Sequence, residues 1–161
     1  MNTYYPELCL VQVSNGELTA VIDPIAINDL TSFLDLLYQS SITVVLHSAH
    51  QDLEIFFNLT SRLPTPLFDT QLAAPLLGYA EGIGYGNLVK EALDIELEKG
   101  HARADWKQRP LSEGKLKYAA DDVIYLGQLY ELFIEKLKHV EDVSEMDNRV
   151  ARLTQPETYE P

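Results

Sequence analysis

The sequence predicts a mixed α/β domain, and three observations carry that prediction. Two β-branched runs flank Asn15-Gly16, short apolar runs alternate with stretches of helical periodicity, and 46% of the 161 residues are hydrophobic. That share supports one real core. Asn-Gly between such runs is a strong hairpin signal, because both residues tolerate the positive φ of a type I′ turn. Before the turn, Leu8, Leu10 and Gln12 alternate with Cys9, Val11 and Val13, and residues 18–22 form the return strand. Asp23-Pro24 ends the hairpin, since the residue before a proline is biased away from continued regular structure.

Ile27, Leu30, Phe33, Leu34 and Leu37 then recur at helical spacing, to about residue 39. Residues 42–46 are a short apolar, β-branched run, read as a buried strand. A helix starts near His50 with Leu53, Phe56 and Phe57 facing inward. Leu67-Phe68-Asp69 is a second short strand, followed by a helix over 71–77, a glycine-rich loop over 78–86 and a short helix over 87–93. A mostly polar stretch, 94–110, precedes a long helix over about 112–139, started by Ser112-Glu113. Residues 1–140 are expected to be the domain. Apolar density falls after them, so 141–161 read as a tail or the start of a linker.

Charge narrows the function. Twelve Lys and Arg stand against 25 Asp and Glu, a formal net charge of −13. Such a surface repels nucleic acid, membranes and other polyanions unless metal ions intervene. Apolar runs are only a few residues long, as in Val44-Val45-Leu46, far short of the ~20 needed to span a bilayer. Cys9 is the single cysteine, and residues 1–6 carry neither the basic start nor the apolar stretch of a signal peptide. Both features fit a reducing cytoplasm and no internal disulfide.

Two places have residues suited to chemistry. On the long helix, Tyr118 and Asp122 stand at i and i+4 and share a face. A phenol there can orient a water beside a carboxylate that holds a metal ion; the alternative is a core-edge Tyr with acids on a solvated face. Asp52 follows the strand ending at Leu46, where ligands of open α/β sheets bind, and suits a hard cation such as Mg²⁺. Its commoner role is a first-turn acid facing the helix dipole. His47 and His50 hint at zinc through their spacing but lack a third ligand nearby. Gly82-Ile83-Gly84-Tyr85-Gly86 lacks the dinucleotide fingerprint. Lys99, Arg103, Lys107 and Arg109 around Trp106 could steady a phosphate backbone or stack a base, or could be a solvated loop.

Several segments together carry a family resemblance. Tyr4 to Gln12, Ile22-Asp23-Pro24, Leu46 to Glu54, Asp69-Thr70-Gln71, Asp105-Trp106 with Arg109-Pro110-Leu111, and Tyr118 to Val123 occur in an order that resembles ribonuclease D. That family belongs to the DEDD 3′-5′ exonucleases of the subtype with Tyr in the third motif. The resemblance runs from Tyr4 to about Leu153 and implies a ribonuclease H-like mixed sheet flanked by helices. It implies a hydrolase that removes nucleotides one at a time from RNA 3′ ends, transfer RNA precursors among them, with two divalent metal ions, Mg²⁺ or Mn²⁺. Asp52 and Asp122 match metal-binding carboxylates of the second and third motifs, and Tyr118 matches the Tyr that orients the attacking water.

The departures are equally informative. The first-motif Asp-x-Glu, on the family's central strand, has no counterpart after Met1, and the helical nucleic-acid-binding domain that usually follows is absent from the sequence. Asp121 and Lys115 stand where the family often has Ala and Gln. The expectation is a sheet without its first, central strand and activity weaker than in complete members. Open sheet edges are also a route to self-association. The alternative is a catalytically inactive remnant that binds RNA or protein; an upstream Asp-x-Glu strand, with Met1 not the true start, would restore the full enzyme.

Overall fold

The computed structural model describes residues 11–14, 19–22, 35, 38–39, 43–97 and 112–160, excepting the side chains of 11–14, 19–22, 114–116 and 118–123. The helix expected to end near residue 39, Cys9 and the basic stretch around Trp106 lie essentially outside them.

The hairpin is present. β1 (Val11–Ser14) pairs antiparallel with β2 (Thr19–Ile22), with Val11 opposite Ile22 and Ser14 opposite Thr19. A second ladder joins β3 (Val44–Leu46) to β4 (Leu67–Asp69) in parallel, with Val44 opposite Leu67, Val45 opposite Phe68 and Leu46 opposite Asp69. Among the described residues the two ladders do not pair with each other.

Helices complete the fold. α1 (His50–Thr60) follows β3 and stops at Ser61, whose φ of 57° turns the chain left-handed while its N–H donates to the Phe57 carbonyl. α2 (Thr70–Ala73) follows β4 directly and tightens into a 3₁₀ turn, Ala74–Leu77. The single helix expected over 71–77 divides here because Pro75 has no N–H to give to the i−4 carbonyl. Gly78, at φ 94°, ends the turn. α3 (Tyr85–Leu93) begins two residues earlier than the periodicity indicates, α4 (Glu113–Leu137) is the long helix, and α5 (Ser144–Leu153) leads into a 3₁₀ turn, Pro156–Thr158. None of these helices is long and apolar enough to cross a membrane.

The period of two along β3 and β4 places successive pairs on opposite faces. Val44 and Leu67 face one core with Ala49 and Leu53, covered by Val150, Leu153 and Tyr159. Phe68, with Val45 beside it, faces the other core, which holds Ala73, Ala74, Ile83, Leu88, Val89, Leu129 and Phe133. Phe68 meets Tyr130 edge-on at 5.1 Å and Phe133 stacks on Tyr79 at 5.8 Å, contacts worth about 0.5–1.5 kcal/mol each beyond their area. The ladder is therefore sandwiched, α1 on one side and α3 and α4 on the other, while α5 reaches both cores, through Val150 and Leu153 on the first and Met146 on the second. α4 also packs across β1, β2 and β3. Residues 141–161, read from composition as a tail or linker start, carry α5 and supply three of the side chains that cover the first core.

Candidate active site at the carboxyl ends of β3 and β4

β3 and β4 run parallel, so their carboxyl ends open on one edge. The chain leaves β3 through His47, Ser48 and Ala49. Ser48 is left-handed, at φ 57°, and Ala49 right-handed, an alternation that aims successive N–H groups at one point. That point is Asp69, the last residue of β4 and only 2% exposed. Its Oδ1 accepts from the Ser48 N–H at 3.0 Å and the Gln71 N–H at 2.8 Å; its Oδ2 accepts from the Ala49 N–H at 2.8 Å. One carboxylate thus caps α2 and the approach to α1, which has no side-chain cap of its own. Both oxygens are committed to backbone donors.

His47 fixes the neighbouring loop. The Ile83 carbonyl can only accept, so the Nε2–H donates to it at 2.9 Å, and in the neutral ring Nδ1 accepts from the Thr70 hydroxyl at 2.8 Å. Burial lowers the His47 pKa, outweighing the opposing effects of the Ile83 bond and the Asp69 charge, so the neutral ring prevails at neutral pH. Gln71 Nε2 donates to the same Ile83 carbonyl at 3.2 Å and to that of Gly82 at 3.3 Å. The glycine-rich segment is stitched to the ends of both strands, and His47 has no ring nitrogen left for a metal.

Asp52 projects from the first turn of α1. Desolvation, then the nearby Asp69 charge, pushes its pKa up to about 6. A carboxylate in a negative field attracts a cation, and its oxygens are the hard donors that ions such as Mg²⁺ take. Asp52 offers one such group: no cluster of three or more His, Cys, Asp or Glu gathers among the described residues. Tyr118 and Asp122 lie on α4, one turn apart along its backbone. Their side chains are outside the described residues. α4 packs against β3, the strand that leads to Asp52.

The capping role of Asp69, and the loop-holding roles of His47, Thr70 and Gln71, were not read from the sequence. The signal for Asp69 was present, an acid between an apolar strand and a helix start. The signal for His47 was not, because its partners lie 23 and 36 residues away.

The chain matches the sequence model of a 3′-5′ exonuclease domain over residues 1–138. It is 44% identical to a ribonuclease D of Pseudomonas paraeruginosa over 97% of this chain and 43% of that protein, and 48% identical to one of Shewanella over 84% and 35%. Its fold superposes on Escherichia coli RNase D, described as an exoribonuclease involved in structured RNA processing, with a TM-score of 0.90, 36% identity, and coverage of 100% of this chain and 43% of that one. Brucella melitensis NrnC with bound Mg²⁺ gives a TM-score of 0.79 at 27% identity, over 94% and 74% of the two chains. The chain spans less than half the length of the ribonuclease D proteins it matches.

Proposed function

Because the chain belongs to the 3′-5′ exonuclease family, we propose that it hydrolyses RNA from the 3′ end, one nucleotide at a time, as a ribonuclease D-type domain. The observation that carries this reading is Asp52, set by the Asp69 cap at the carboxyl end of β3 with its pKa raised to about 6, in a chain of ribonuclease D sequence. Asp52 and Asp122 would hold the divalent cations, Mg²⁺ or Mn²⁺. Bound there, such ions supply positive charge to the phosphate and acidify water. The Tyr118 hydroxyl, a hydrogen-bond donor and acceptor, would orient the water for attack. The Asp69 cap keeps the Asp52 end of α1 in place, and the His47–Ile83 bond holds the adjoining loop.

The net charge of −13 fits this reading, since an acidic domain engages a polyanion through bound cations. Structured RNAs such as transfer RNA precursors are the proposed substrates and the cytoplasm the proposed compartment. Self-association through the edges of the two ladders would give a second copy as partner. The test incubates the purified chain with Mg²⁺ or Mn²⁺ and 3′-structured, 5′-labelled RNA. Stepwise shortening that stops with EDTA and in Asp52→Ala and Asp122→Ala supports the reading; shortening that survives both substitutions refutes it.

A further inference from the structure

The match to the exonuclease domain ends at residue 138, yet the chain beyond it returns to the helix that bears Asp52. Val150 and Leu153 of α5 pack on Val44, Ala49, Leu53 and Leu67, and Tyr159 closes over them. The Tyr159 ring lies 5.2 Å from His50 and 5.9 Å from Phe57. Its hydroxyl donates to the Leu153 carbonyl at 2.7 Å, and Tyr159 N–H donates to the Pro156 carbonyl at 3.0 Å, so the ring is held from two sides. At about 100° per residue, His50, Glu54 and Phe57 share one face of α1. Asp52 leaves from roughly the opposite one. α5 also carries Arg149, which pairs with Glu81 of the glycine-rich segment at 2.8 Å and with Glu145 at 3.2 Å, exposed contacts of small energy.

We propose that residues 144–159 brace α1 from behind, with Tyr159 a positioning residue that keeps the Asp52 end of the helix in its working place. α1 needs such support. Its start is held by one remote carboxylate rather than by a cap of its own, and an 11-residue helix is marginal without tertiary packing. Removing the ring exposes the His50 and Phe57 flank and frees the first turn to fray, which moves Asp52. The consequence at the site rests on the exonuclease reading; the brace itself does not.

The full chain carrying Tyr159→Ala, Tyr159→Leu or Tyr159→Phe is compared with wild type and with Leu137→Ala, a partly buried deletion in the other core, fifteen residues and about 22 Å along α4 from Asp122. Amide hydrogen exchange is read residue by residue, and Mn²⁺-supported RNA hydrolysis is read as kcat and KM. Tyr159→Ala is expected to speed exchange in residues 50–60 on the order of tenfold above any change elsewhere, and to lower kcat by a similar factor with KM within about twofold. Tyr159→Leu falls between, Tyr159→Phe stays within about twofold of wild type, and Leu137→Ala leaves α1 exchange and kcat unchanged. Exchange that rises equally in every element, or α1 loosening with kcat unaltered, overturns the proposal. A wild-type chain that cuts no RNA refutes the exonuclease reading, and the exchange pattern then decides the brace.

Discussion

Replacing Asp69 with Asn probes the joint on which the candidate site stands. The carboxylate is 2% exposed and accepts three backbone N–H groups, two through Oδ1 and one through Oδ2. Asn keeps one acceptor oxygen. In its better orientation it retains the Ser48 and Gln71 bonds, loses their charge assistance, and turns an NH₂ toward the buried Ala49 N–H. Loss of a hydrogen bond to a charged group costs about 1.5–3 kcal/mol, and the stranded donor adds about 1–3. Relief of the unfavourable interaction with Asp52 returns a fraction of this, so the expected net loss is about 3 kcal/mol, a large part of the 5–15 typical of a domain. With a urea m-value of about 2 kcal/mol/M the midpoint falls by about 1.5 M at unchanged slope. A fall below about 0.3 M at pH 7 would refute the claim that this one carboxylate holds the entrance to both helices.

Three further outcomes follow from the same geometry. Asp52 has a folded pKa raised from 3.8 to about 6, so between those values the native state binds more protons than the unfolded one and stability falls as pH rises; above pH 6 the loss is complete. Asp52→Asn should remove that contribution to the slope and stabilise the metal-free chain at pH 7 by at most about 1 kcal/mol, because the residue, though crowded by neighbouring protein atoms, keeps a face to water that screens its charge; urea curves at pH 4 and pH 7 compare the two chains, and equal pH slopes would contradict the assignment. Thr70→Val removes the hydroxyl that His47 Nδ1 accepts from and should cost about 1–2 kcal/mol, measured by thermal melting. Leu53→Ala, at a fully buried position, should cost about 2–5 kcal/mol, whereas Leu59→Ala on the same helix, 56% exposed, should stay within about 0.5.

Local signals carried much of the fold. Asn15-Gly16 announced the hairpin, and the runs at Val44–Leu46 and Leu67–Asp69 were read as strands where β3 and β4 stand. The divided helix at Pro75 has a local cause, proline's missing N–H, which apolar periodicity does not register. Residues 141–161 show how few apolar side chains a packed segment needs. α5 has no buried residue and a polar surface, yet three side chains of the segment suffice to cover a core that the β-ladder leaves open on one face. Sparse apolar residues look like a tail until their partners, about a hundred residues earlier, are in place.

The sequence by itself determined the α/β class, the family, and Asp52, Asp122 and Tyr118 as the residues to suspect, because these depend on residue type, order and short spacing. Tertiary structure alone decided that Asp69 caps two helix entrances, that His47 is a loop anchor with both nitrogens engaged, and that Tyr159 lies behind Asp52. Each of those depends on which distant segments meet when parallel strands bring their carboxyl ends together. Coulomb interactions and hydrogen bonds act across a few ångströms of space, whatever length of chain separates the partners.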